Sequence, residues 1–74
     1  MTTAHVDSWL AGQNIAGVRF NLNDAVRVLS GEYAGMVGSV ISLLAVRPVP
    51  KYIVETSSGR DVEVLDYDLQ IEGA

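Results

Sequence analysis

The stretch Asp24 to Val40, DAVRVLSGEYAGMVGSV, restricts this chain more than any other. Val26 and Val28 alternate with Ala25 and Arg27, the period-two pattern of a strand with one face buried and one face wet. Ser30, Gly31 and Gly35 then supply a loop, Gly38 follows, and a second apolar run opens at Val37, so the chain doubles back as a β-hairpin. Tight loops need positive φ, which glycine takes at no steric cost. Gly31, Gly35 and Gly38 are therefore read first as residues of backbone geometry.

Strand signals continue to the C-terminus. The expected strands are residues 25–29, 37–46, 51–56 and 60–65, with Val26, Val28, Val40, Val54, Val62 and Val64 facing one core. Arg27, Asp61 and Glu63 then face water. The run 37–46 carries apolar groups on both faces, which suits a long strand that bends or is covered outside. Pro48 and Pro50 break it, because proline cannot continue a central ladder. Ser57, Ser58 and Gly59 make a hairpin turn. Ahead of all this, Val18, Phe20 and Leu22 alternate with polar residues, an extended lead-in or an added strand. Residues 1–16 form a short helix or an arm: Thr3 is placed to cap a helix through Gln13, with Val6, Trp9 and Leu10 as its apolar stripe. A helix so short is marginal alone and needs docking through Trp9 and Leu10.

Seventy-four residues suffice for one domain, and a chain of that size hides only about 60% of its unfolded surface, which favours an economical architecture such as a small closed barrel. Hydrophobic residues at 49% supply the core. With no cysteine the chain has no disulfide, thiolate nucleophile or cysteine metal site. No apolar run approaches the roughly 20 residues of a membrane span, and no signal peptide is indicated, so the expectation is a cytoplasmic protein without membrane contact.

The pattern of an acid, alternating valines, a glycine-bearing loop and Gly-x-Val, carried here by Asp24, Val26, Val28, Gly31, Tyr33, Gly35, Gly38 and Val40, resembles the KOW motif of ribosomal proteins and transcription elongation factors. The resemblance covers residues 24–69. It implies a mainly β fold, a small SH3-like barrel of about five antiparallel strands over residues 17–72, with a helical turn at 67–69 before a last strand at 70–72. It also implies a binding module that docks on a larger protein or nucleoprotein assembly. Two alternatives stand beside that: an RNA- or ribosome-associated KOW protein, and an accessory SH3-like subunit of an enzyme complex.

The candidate binding residues are Arg27, Glu32, Tyr33, Ala34, Arg47 and Lys51. Aromatic rings interleaved with bases are the means by which single-stranded nucleic acid is stacked and held, and Tyr33 lies in the loop that contacts RNA or protein in KOW proteins. Charge weighs the other way. The net charge is −4, and residues 51–74 carry the whole excess: Lys51 and Arg60 against Glu55, Asp61, Glu63, Asp66, Asp68 and Glu72. Glu32 is acidic and Ala34 neutral where RNA-binding KOW loops carry lysines. At most about two or three phosphate contacts follow, so direct nucleic-acid binding is expected to be weak.

No catalytic constellation, cofactor or metal is expected. His5 is the only histidine and has no visible nucleophile or co-ligands. Asp61, Glu63, Asp66 and Asp68 lie on a strand and turn rather than a glycine-bearing cation loop, and read as a solvated edge that resists edge-to-edge pairing. The chain is therefore read as non-enzymatic, with its oligomeric state open.

Overall fold

The computed structural model describes residues 9–12, 15 and 17–73. Among these residues five strands form one sheet: β1 (Ala25–Val28), β2 (Val37–Ala45), β3 (Lys51–Thr56), β4 (Asp61–Leu65) and β5 (Leu69–Ile71). All neighbours are antiparallel, in the order β4-β3-β2-β1-β5. The expected strands fall within a residue or two of these. The glycine loop behaves as its composition requires, since Gly31 and Gly35 have φ of +87° and +91°. Gly38 has a different reason for being glycine: a Cβ there would collide with the Glu55 carbonyl and lie 2.9 Å from the Thr56 Cα of β3.

The bend in β2 is built from two irregularities. Val40 faces Val54 and Ser42 faces Ile53, so Ile41 is an extra residue; Leu44 is another, between the Leu43–Tyr52 and Ala45–Lys51 pairs. Each insertion re-phases the strand. That is how Val40 and Leu43, an odd number of residues apart, both become buried while Leu44 stays exposed.

The sheet curls but does not close, which corrects the expected barrel. Its edges β4 and β5 are not paired with each other. A single 3₁₀ turn, Asp66–Asp68, carries the chain from one edge to the other, so only a strongly curled sheet satisfies the connectivity. The turn's backbone spans the seam: Asp66 N–H donates to the Pro50 carbonyl (2.8 Å), and the Asp68 carbonyl accepts from Leu29 N–H (2.8 Å). The turn begins one residue before the position expected for it, and so does β5.

Val26, Val28, Val40, Val54, Val62 and Val64 are all buried, together with Trp9, Phe20, Leu43, Tyr52 and Leu69. The segment around Val18 to Leu22 is a lead-in and adds no strand. Trp9 closes the core, fully buried, with its indole N–H donating to the Phe20 carbonyl at 2.7 Å. Leu10, by contrast, is exposed and does not dock. Of the segment expected to form the N-terminal helix, the described residues include only Trp9–Gly12, where Gly12 N–H donates to the Trp9 carbonyl (3.0 Å); Thr3, His5, Val6, Asp7 and Gln13 lie outside the described residues.

Candidate functional site

Among the described residues one charged side chain is drawn into the core. Asp66, at the start of the 3₁₀ turn, is buried, and its two carboxylate oxygens are separately served. Tyr52 Oη donates to Oδ2 at 2.7 Å, and Arg19 Nε donates to Oδ1 at 2.7 Å. Arg19 Nη2 also donates to the Asp66 and Leu69 carbonyls, at 2.7 and 3.3 Å. The guanidinium lies 4.7 Å from the centroid of the Phe20 ring, and Phe20 packs edge-on against Tyr52 with centroids 5.5 Å apart. Burial raises the Tyr52 hydroxyl pKa above its ordinary value, and the hydrogen bond to the Asp66 carboxylate and that group's charge add to the shift. This node ties the lead-in, β3 and the seam together.

The sequence places Asp66 on a solvated acidic edge, and its burial corrects that expectation. Asp61 and Glu63 do face water, whereas Asp66 points inward. Among the described residues no three histidines or carboxylates gather where a metal ion is held.

The candidate binding residues do not form one surface. Arg27 is exposed on β1 and engaged by Glu72, with Nη2 to Oε1 at 2.9 Å and Nε to Oε2 at 3.1 Å. That bond lowers the Glu72 pKa, against a smaller opposing effect of burial, and raises that of Arg27. Tyr33 is half-buried and packs against the core, while Glu32 and Ala34 beside it are exposed. Glu32 and Tyr33 line a recess of about 280 Å³ with Val28, Glu63, Leu65 and Asp68. Lys51 connects to it through Glu63, Nζ to Oε1 3.8 Å. Arg27, Ala34 and Arg47 do not line it. Arg47 is exposed in the β2–β3 connection.

A second surface holds none of the candidate binding residues. Leu29, Tyr67 and Ile71 are 47%, 62% and 41% exposed. They flank a shallow groove of about 520 Å³ whose floor includes Phe20 and Leu69. The β1–β5 pairing creates the cluster by placing Val26 opposite Ile71 and Val28 opposite Leu69, residues more than forty positions apart in the chain. No local signal announces it; Tyr67 in a predicted turn before an apolar pair is the only hint.

No family model matches the chain, and no curated protein matches it. Among the described residues no helix is long and apolar enough to cross a membrane.

Proposed function

We propose that this chain is a non-enzymatic binding module of the KOW, SH3-like kind that docks on a larger protein or nucleoprotein assembly. The observation that carries the reading is the exposed cluster of Leu29, Tyr67 and Ile71 around one groove. Large side chains left two-fifths or more exposed around one groove gain most by association, at about 25 cal/mol per Å² of apolar area removed from water. Tyrosine suits such a face, with an apolar ring and a polar tip. The β1–loop–β2 hairpin, with positive-φ glycines at 31 and 35, supports the KOW part of the reading.

Charge pairing favours protein over nucleic acid as the surface in contact. Arg19 is bound to Asp66, Arg27 to Glu72, and Lys51 lies beside Glu63. A photo-crosslinking aromatic amino acid at position 67, introduced in the native host, tests the proposal. The expected product is a protein adduct that survives nuclease and is absent when the same group stands at position 60. Adducts to RNA alone, or equal labelling from both positions, would contradict it.

A further inference from the structure

The other edge of the sheet, β4, presents a different surface. Thr56 N–H donates to the Arg60 carbonyl and Asp66 N–H to the Pro50 carbonyl, each at 2.8 Å, and the register between them pairs Val54 with Val62 and Tyr52 with Val64. An antiparallel ladder turns alternate residues toward the partner strand. The backbone groups of Val62 and Val64 therefore face β3, and those of Asp61, Glu63 and Leu65 face outward. No other strand among the described residues takes them.

Three features along this edge specify what would pair with it. The first is the recess between β4 and the 30–33 loop, with Val28, Tyr33, Val64 and Leu65 for apolar lining. The second is the charge of its rim, which carries Glu32, Glu63 and Asp68. The third is a like-charge contact: Glu55 of β3 stands directly opposite Asp61 of β4, both exposed, and neither has an ion-pair partner among the described residues. Direct cross-strand pairing of like charges is unfavourable, and a cation placed beside the pair relieves it.

We infer that the outer edge of β4 accepts an extended basic segment of a partner protein as an added strand. Its backbone pairs with Asp61, Glu63 and Leu65. Its side chains alternate, with lysine or arginine on the wet face against Asp61, Glu63 and Glu55, and small apolar residues on the inner face toward Val62, Val64 and the recess. The same carboxylates repel a second β4, so the edge rejects its own copy while admitting a strand of opposite charge. This surface lies on the opposite edge of the sheet from Ile71 and does not depend on the groove around Tyr67.

The test uses the full chain and a blocked ten-residue peptide alternating lysine with valine, observed through the backbone amide signals and their hydrogen exchange. The expected result is saturable binding that weakens with salt, with shifts and slowed exchange centred on the amides of Asp61, Glu63 and Leu65. A glutamate–valine peptide, and a lysine peptide with prolines at the alternate positions, should each bind at least about tenfold more weakly, because they lack the charge or the N–H donors. Asp61→Lys with Glu63→Gln should lose the peptide while keeping the fold, since Asp61→Lys removes the repulsion from Glu55 and a neutral residue at 63 sets no like charge against Lys51. Shifts located elsewhere, or equal binding of the proline peptide, would overturn the inference. Tyr67→Ser with Ile71→Ser should bind the peptide as the parent does, which separates failure at this edge from failure of the docking role assigned to the other.

Discussion

Tyr52 has its hydroxyl on a buried carboxylate and its ring against Phe20, so two different interactions meet in one side chain. Tyr52→Phe removes only the first and should cost about 1 to 2 kcal/mol in a denaturant titration, since it leaves Asp66 Oδ2 without that donor. The pH dependence has a definite sign. The hydroxyl pKa is raised in the folded chain, so its contribution is complete below the ordinary value of 10.0 and is lost as pH climbs from there toward the folded value. Melting temperature should therefore fall above about pH 10 in the parent more steeply than in Tyr52→Phe. Equal alkaline slopes would contradict the burial assigned to this hydroxyl. Nothing local in the sequence announces the node: Arg19 and Asp66 are 47 residues apart, and Asp66 sits among acids that do face water. An arginine between Val18 and Phe20 reads as the wet side of an alternating segment. Only the curl of the sheet brings it to a buried partner.

The strands themselves were legible because their cause is local. Val26 and Val28, Val62 and Val64, and the Ser57 to Gly59 turn state their periodicity within a few residues, and the burial follows it. The bulges at Ile41 and Leu44 were not legible, because a run apolar on both faces gives no phase to read. Two glycines test the account of these elements. Gly38→Ala should destabilise by about 1 to 3 kcal/mol, as overpacking against the β3 backbone does, while the more open Gly35→Ala should lose roughly 1 to 2 kcal/mol through its positive φ. A neutral Gly38→Ala in thermal unfolding would mean that β2 and β3 are not in this register. Val54→Ala, by contrast, should lose about 1 to 3 kcal/mol by burial and cavity alone.

For the whole molecule, closure was expected and curling was found, and the difference leaves two edges of unlike character: an acidic β4 and an apolar β5 margin. Half of the candidate residues chosen from sequence, Glu32, Tyr33 and Ala34, lie on the loop between β1 and β2, whereas the exposed apolar cluster arises from a pairing across most of the chain and so escapes any local pattern. Among the described residues only Arg47 and Arg60 stand outside ion pairs. With two such bases the isolated chain should bind single-stranded RNA weakly, with a log–log salt slope of about −1.4, and Arg27→Ala should change little. Submicromolar binding that falls steeply with salt in a labelled-RNA titration would reverse that conclusion. The docking role itself is tested most directly by velocity sedimentation of nuclease-treated extract from the native host, comparing the tagged chain with Tyr67→Ser, Ile71→Ser. The account predicts that the parent sediments with a larger assembly and that the double variant, still folded, moves as a free chain near the top of the gradient; a parent that sediments alone, or a variant that stays with the assembly, would contradict it.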